Sequence, residues 1–318
     1  MKKKIVAIVA LLLIAVLSLA SCGAGKLTMG TGGTGGTYYA FGSVLSQYIK
    51  NNAEVSCVAV STDGSKANIQ GIDSGDYQLG TVQSDVMAYA WNGTNTFAET
   101  GKVDSFRVIG GLYAEAVQLI TTDPSIKTVA DLKGKSVSIG APASGVYFNA
   151  IDVLTAANLT LDDIKPQYLS FNDSADNLKD GKIDAAFVVA GAPTPAVVDL
   201  MTSKDAHLVP IDGELAATIM SKCPYYTLYN VPANTYKGQT TDVQTITVKA
   251  TLIVSADIDE DTVYNITKAI FDNAEAIAKE HAKGAELTLE NATGGMTAPF
   301  HKGAARYFAE KGITVSAE

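Results

Sequence analysis

Leu27-Thr28-Met29-Gly30-Thr31-Gly32-Gly33-Thr34-Gly35-Gly36-Thr37-Tyr38-Tyr39 joins a short apolar run to a glycine-threonine loop, and the loop to an amphipathic segment. Residues 26–29 read as a strand and residues 30–36 as a loop. From position 37 to 51 the pattern turns helical, because Phe41, Val44, Leu45 and Tyr48 fall at i, i+3, i+4 and i+7. Five glycines between positions 30 and 36 let the backbone turn tightly and approach a ligand closely. The loop opens on a helix N-terminus, where free N–H groups and the helix dipole favour an anion. Threonine hydroxyls add hydrogen bonds of either polarity. A flexible solvent loop is the bland alternative.

The same grammar of strand, loop and helix continues outward. Residues 55–60 alternate into a second strand, Asp63-Gly64 marks a turn, and a short helix runs from Ser65 to near Gly75. Residues 77–82 form a third strand, and residues 106–112 and 117–120 read as two more. Beyond Thr121 the pattern restarts with a strand at 136–139 and the loop Gly140-Ala141-Pro142-Ala143-Ser144-Gly145. The helix after that loop carries Ala150, Val153, Leu154 and Ala157 on one face, with Ser144 placed as its N-cap. Residues 185–189 and 246–254 are buried strands, and Val263, Ile266, Ile270, Ala274 and Ile277 mark one long helix. Strand-helix alternation with a restart argues for two α/β units, mostly parallel sheets flanked by helices.

The N-terminus shows where the chain goes. Lys2, Lys3 and Lys4 precede thirteen unbroken apolar residues at 5–17, too few to span a bilayer and suited to an export signal. The run ends at Leu19-Ala20-Ser21-Cys22-Gly23, which resembles a bacterial lipobox. Residues 1–21 are therefore expected to be a signal peptide and Cys22 the lipidated first residue of the mature protein. A core helix opening the chain, or a plain cleaved signal beside an incidental cysteine, is the alternative. The mature chain would keep 21 basic and 33 acidic side chains, a formal charge of −12. Arg107 and Arg306 are its only arginines, so it has no electrostatic footprint for nucleic acid. The protein is expected outside the cytoplasm, held to the cell membrane only through its lipid anchor. Cys57 and Cys223 read as free, buried thiols, although an oxidising compartment would permit a bridge.

Several stretches together resemble the TAXI family, the solute receptors of a class of TRAP transporters. They are the opening run 27–39, Gln83-Ser84-Asp85, Asp131-Leu132-Lys133-Gly134-Lys135 and Gly140-Ala141-Pro142-x-Ser144-Gly145. Asp180-Gly181-Lys182-Ile183-Asp184-Ala185, Gly191-Ala192-Pro193-Thr194-Pro195 and His301-x-Gly303-Ala304-Ala305-Arg306-Tyr307 complete the likeness along the mature chain. The resemblance implies a type II periplasmic-binding-protein fold, two α/β lobes joined by two crossing strands with the ligand cleft between them. It implies a TRAP permease as membrane partner, driven by an ion gradient, and a small carboxylate such as glutamate, glutamine or 2-oxoglutarate as ligand. Ala143 departs from the glycine often found there, and its methyl narrows the space beside Ser144. Lobe I is expected at 23–115 with a return at 229–318 that carries the C-terminal helices, and lobe II at 116–228. Thr34, Gly35, Gly36, Thr37 and Tyr38 should form one wall of the cleft, beside Ser65, Asn68, Gln83 and Ser84. Ser144, Gly145 and Asn149 should form the other, with Pro193 near the rim. An ammonium-bearing ligand would need a counter-charge, which Glu115 or Asp85 could give if either faces the cleft.

Catalytic readings fail on their parts. Gly30-x-Gly32-x-x-Gly35 matches the dinucleotide fingerprint, with Asp63 as the ribose acid. An exported protein meets no steady nicotinamide supply, and chance matches are easy in so glycine-rich a loop. Gly134-Lys135-Ser136 could end a P-loop, but Val129 stands where its first glycine belongs. Pro142 occupies the glycine position two before Ser144, so the nucleophile elbow is absent. His207, His281 and His301 lack metal spacing, with His281 read as a solvated helix residue and His301 as a cap or packing group. Asp259-Glu260-Asp261 suits the acidic first turn of a helix rather than a calcium loop. No cofactor and no enzymatic activity are expected. An enzyme on the same fold, acting on a small anion, is the runner-up, and a surface adhesion module without a polar cleft is the third reading.

Cys22→Ala should abolish acylation and release the protein from the membrane, since stable anchoring rests on acyl chains. Mass spectrometry of wild-type protein that finds no acyl group on Cys22 would refute the anchor.

Overall fold

A computed structural model describes residues 26–318. The expected signal at 1–21 and the lipidation site Cys22 lie outside the described residues. The chain begins with β1 (Leu27–Gly30), α1 (Thr37–Asn52), β2 (Cys57–Val60), α2 (Ser65–Asp73), β3 (Leu79–Gln83) and α3 (Ser84–Asn92). The long β4 (Phe106–Thr121) then leads to β5 (Ser136–Ser138), α4 (Gly145–Ala156), β6 (Lys165–Gln167), α5 (Phe171–Lys179) and β7 (Ala185–Ala190). Next come α6 (Pro195–Ser203), β8 (His207–Val209), α7 (Gly213–Lys222), β9 (Thr227–Val231) and β10 (Val243–Ser255). The helices α8 (Glu260–Phe271), α9 (Ala274–Glu280), α10 (Leu289–Thr293) and α11 (Lys302–Glu310) close the chain. Among the described residues no helix is long and apolar enough to cross a membrane.

The strands run in the order β2-β1-β3-β10-β4-β7-β5-β6, with β8 beside β4 and β9 beside β10. The parallel pairing expected from strand-helix alternation holds for β1 with β2 and β3, and for β5 with β6 and β7. Around β4 and β10 every pair is antiparallel, so the sheet is mixed. Crossing strands of opposite direction are what a chain needs to leave one lobe and come back.

Two readings of the pattern differ from the structure. The strands expected at 106–112 and 117–120 are one strand, β4, because its first half pairs with β10 and its second with β7 and β8. Glu115 interrupts the apolar run but stays extended, with its side chain only 2% exposed. The single long helix expected from Val263 to Ile277 is broken into α8 and α9 at Asp272-Asn273. Asn273 Nδ2 donates to the Ala269 carbonyl at 2.9 Å, and Asp272 accepts from Tyr307 Oη at 2.8 Å. The apolar period crosses that break undisturbed, which hides it from the sequence.

The core divides between the lobes. One cluster gathers Met29, Phe41, Leu45, Ile49, Leu252 and Phe308, and the others gather Val117, Leu119, Phe187, Ile246 and their neighbours. Each fully buried Leu, Ile or Phe contributes about 1.5–3 kcal/mol of transfer free energy. Val231, Tyr236, Ile246 and Val248 pack with the second lobe. The chain therefore returns to the first lobe along β10 and not at position 229.

Behind the cleft, a buried polar network pins the lobes together. Asn149 Nδ2 on α4 donates to Asp85 Oδ2 on α3 at 2.9 Å and to Tyr226 Oη at 2.7 Å. Tyr226 Oη donates in turn to Asp152 Oδ2 at 2.9 Å. Asp85 Oδ1 and Asn149 Oδ1 are both buried without a donor. Burial, with some help from the nearby Asp152 charge, pushes the Asp85 carboxyl up to about 7 against the hydrogen bonds it accepts.

A carboxyl held neutral in the fold binds more protons than in the unfolded chain between about pH 4 and pH 7. Its contribution is therefore lost as pH rises through that window. Asp85→Asn keeps the shape and brings the donor that Asn149 Oδ1 lacks. The variant should melt above wild type at pH 8, by roughly 2–4 °C or more. The gap should close near pH 5. An unchanged or lower melting temperature at pH 8 would contradict the buried neutral acid.

Candidate functional site

Four loops, each leaving the C-terminal end of a strand and entering a helix, converge on a cavity of about 380 Å³. They connect β1 to α1 and β2 to α2 in lobe I, and β5 to α4 and β6 to α5 in lobe II. Carboxyl ends of parallel strands are where open α/β sheets bind ligands, and the volume sits at the small end of ligand pockets, roughly 300–1,000 Å³.

The N-caps Gly36, Gly64, Ser144 and Ser170 all line this cavity. Ser144 Oγ accepts from Tyr147 N at 3.4 Å and Ser170 Oγ from Asp173 N at 3.2 Å, so α4 and α5 cap themselves. Gly36 and Gly64 have no side chain to do this, which leaves first-turn N–H groups of α1, and those of Ser65 and Lys66 in α2, for a ligand; Ala67 N already donates to the Ala143 carbonyl at 3.3 Å. Gly64 also sits at φ +104, a conformation that L side chains rarely adopt.

Thr34, Gly35, Gly36, Thr37, Tyr38, Ser65, Gln83, Ser144 and Gly145, expected from the sequence, all line the cavity. Asn68, Ser84, Asn149 and Pro193 do not. Asn68 is a buried brace, donating to the carbonyls of Thr31 at 2.6 Å and Thr81 at 2.8 Å. Ser84 Oγ accepts from Lys249 N at 3.2 Å and so ties α3 to β10. Asn149 belongs to the network behind the cleft, and Pro193 follows a cis peptide bond outside the lining. All four lie near cavity-lining residues in sequence, but Asn68, Ser84 and Asn149 are buried in the scaffold and Pro193 is exposed away from the lining.

Sequence reading missed Ser61 and Thr62 on one side, and Leu169, Phe171 and Asn172 on the other. The second group had a usable signal. Ser170-x-x-Asp173 has capping-box spacing at the mouth of a helix whose Phe171, Ala175 and Leu178 fall at i, i+4 and i+7.

At the base of the cavity stands Glu115. Tyr38 Oη donates to its Oε2 at 2.7 Å, and that is its one hydrogen-bond partner among the described residues. Burial pushes its carboxyl up to about 8, against the opposing pull of the Tyr38 hydrogen bond and the Lys283 charge. Lys283 itself is 5% exposed and paired with Glu286 Oε1 at 2.7 Å. Gln83 is also buried against the cavity, with Oε1 lacking a donor.

The lobes touch around the cavity. Thr37 Oγ1 donates to the Gly191 carbonyl at 2.7 Å, Ala196 N to the Gly35 carbonyl at 3.1 Å, and Asn172 Nδ2 to Thr34 Oγ1 at 3.2 Å. Glycine makes this approach possible. A Cβ on Gly145 would stand 1.8 Å from Gln83 Oε1, and one on Gly35 would stand 2.1 Å from Asn172 Oδ1.

Ser144 Oγ donates to the Ala141 carbonyl at 2.6 Å, so its proton is held by its own loop and not by a general base. His301 Nδ1 accepts from Gly303 N at 3.2 Å, a capping role, while His281 is not the solvated helix residue expected. It ends α9, accepts from Lys283 N at 3.2 Å and packs 5.0 Å from the Phe41 ring. Asp259 caps α8 through Thr262 N at 2.9 Å, as the acidic first turn suggested. Cys57 and Cys223 are both free thiols, Cys57 buried and Cys223 only partly so.

Solved structures share this architecture. A protein of Bordetella bronchiseptica RB50 aligns over 89% of this chain and 88% of its own, with TM-score 0.53 and 17% identity. A protein from Listeria monocytogenes described as an L-cystine ABC transporter aligns over 82% of this chain and 97% of its own, with TM-score 0.51 and 16% identity. The periplasmic aliphatic sulphonate binding protein SsuA from Escherichia coli is more distant, at TM-score 0.45 and 17% identity over 83% and 79% of the two chains. The fold is the two-lobed α/β fold of periplasmic binding proteins, with the cleft between the lobes. In sequence, the profile described as the NMT1-like family matches residues 29–312, and the chain is a member of that family.

Proposed function

We propose that this protein is an extracytoplasmic solute-binding receptor that encloses a small carboxylate between its lobes and delivers it to a membrane permease. The observation that carries the reading is the convergence of four helix N-termini, two from each lobe, on one cavity. A ligand held by both pairs favours the closed arrangement by its differential affinity for that state. It needs no cofactor, and the protein acts as a binder and not as an enzyme. Glutamate, glutamine and 2-oxoglutarate fit the cavity's size and its hydroxyl and N–H donors. The TAXI-like motifs support a TRAP permease as partner, and a lipid on Cys22 would keep the receptor beside it. The shared fold of the Listeria monocytogenes protein favours a second reading, delivery to an ABC importer.

Small carboxylates should raise the melting temperature, by about 2.7 kcal/mol of stabilisation at 100 times Kd. Sugars and nucleotides should not. Small-angle scattering should show compaction with ligand for wild type and little for Gly145→Ala, whose methyl collides with Gln83 across the cleft. A sugar response with silence from carboxylates, or full compaction of the glycine variant, would overturn the bridge. Receptor-dependent uptake should collapse when ion gradients are dissipated; uptake that follows ATP instead would assign the ABC importer.

A further inference from the structure

The lining of the cavity is electrostatically lopsided. Glu115 and Asp63 are its charged side chains, and no lysine, arginine or histidine among the described residues joins them. Asp63 is exposed at the mouth. Glu115 is buried at the base, where Val248 of β10 pairs with it, and Ala250 two residues on pairs with Gln83. The period of two along β10 places Gln83 and Glu115 on one face, on either flank of that strand. Tyr38 engages Glu115 Oε2, and no group among the described residues donates to Oε1, which lines the cavity, whereas Gln83 Oε1 is enclosed against Gly145 without a donor.

A carboxyl oxygen that lines a cavity without a donor of its own calls for a donor-rich group. A carboxylate brings only acceptors, whereas an ammonium brings three N–H donors and a compensating charge. The helix N-termini at the rim offer the reverse, N–H groups and positive dipole ends that suit an anion.

We propose that Glu115 is the specificity-determining residue of the cavity and receives a protonated amine of the ligand, so that the site selects zwitterions over plain carboxylates. The assignment rests on the small-carboxylate reading above and narrows it. The ligand's carboxylate faces the uncapped starts of α1 and α2, and its ammonium faces Glu115 Oε1.

Selection of this kind moves a proton. The groups whose charges act on the Glu115 carboxyl are Tyr38 on α1, Asp85 on α3 and Lys283 beyond α9. With the carboxyl at about 8 in the empty site, it is mostly neutral at pH 7. Seating an ammonium then ionises Glu115 and releases one proton to solvent. Affinity for an amino acid accordingly rises as pH rises toward and through about 8, whereas a plain carboxylate binds best with Glu115 protonated and weakens over the same range.

The test is calorimetric titration with matched pairs, L-glutamate against 2-oxoglutarate and L-leucine against 4-methyl-2-oxopentanoate, with pentylamine as an amine lacking a carboxylate. In each pair that binds, the amino acid should bind about tenfold or more tightly than its keto partner. Its affinity should increase from pH 6.5 to 8.5, and heats in phosphate and Tris at pH 7 should reveal proton release. Glu115→Gln keeps an acceptor for Tyr38, so the fold should persist by circular dichroism. It should lose about tenfold for the amino acid, flatten the pH profile and leave the keto acid unharmed. Keto acids binding as tightly as their amino partners, or amino-acid affinity unchanged in Glu115→Gln, would overturn the assignment and leave the carboxylate receptor standing. Binding of pentylamine with silence from every carboxylate would keep Glu115 as the amine site and remove the carboxylate reading. Silence from all of the probes would remove both.

Discussion

The antiparallel pairing of β4 with β10 runs over nine register positions, from Thr247 with Ala116 to Ser255 with Phe106. Every other strand attaches, directly or through one or two neighbours, to one of these two. At about 3.4 Å per residue, a 16-residue strand such as β4 reaches across both lobes. The lobes thus have separate apolar cores but one hydrogen-bonded spine. Glu115, near the crossover, belongs to neither core and is left at the base of the cleft, while its neighbours Tyr113, Ala116 and Val117 join the cores. The register shifts in β10 at Ala250/Thr251 and Leu252/Ile253 interrupt the ladder where β4 and β10 run between the lobes.

Neither arginine of the described residues reaches the cavity. Arg107 reaches the Asp104 and Phe106 carbonyls at 2.8 Å, and Arg306 pairs with Glu260 and Asp261 at the surface. The cavity relies on helix N-termini instead. Each is worth about 0.3–1 kcal/mol to an exposed charge and up to about 2 in partly buried geometry. One such end discriminates little. Four positive helix ends are aimed at a small enclosed volume, and the donors that they offer are backbone groups that side-chain substitution leaves in place. Glycine at Gly36 and Gly64 keeps two of those ends open to the ligand, while serine at Ser144 and Ser170 closes the other two onto themselves.

Two acids buried in one molecule show how position separates roles. Asp85 and Glu115 are both fully enclosed, and burial drives both carboxyls upward. Asp85 lies on the seam between α3 and α4 and spends its hydrogen bond on Asn149, so it works on the fit of one lobe against the other. Glu115 lines the cavity and keeps an oxygen free. Their charges act on each other, so ionising one raises the cost of ionising the second.

What the sequence by itself determined was everything that local pattern controls. Residues 26–37 announce strand, glycine loop and helix because each state has its own period or breaker, and Ser144 announces a cap because a hydroxyl before a helix has one outstanding use. Strand-helix alternation and the restart after Thr121 were enough for two α/β units, and nine of the thirteen residues expected to touch ligand do line the cavity. Tertiary structure decided the rest. Asn68, Ser84 and Asn149 sit within a few residues of the cleft, but a side chain's direction depends on what packs behind it, which no local pattern encodes. β4 could not be seen as one strand because its two halves are held by different partners, and the return crossing shifted into β10 because Val231, Tyr236 and Ile246 found their neighbours in the second lobe. The site is a meeting of loops from β1, β2, β5 and β6, up to about 140 positions apart in the chain, as in the Asn172–Thr34 contact. Only closure of the two lobes brings them to one volume, and only there does Glu115 acquire an environment that sets its charge.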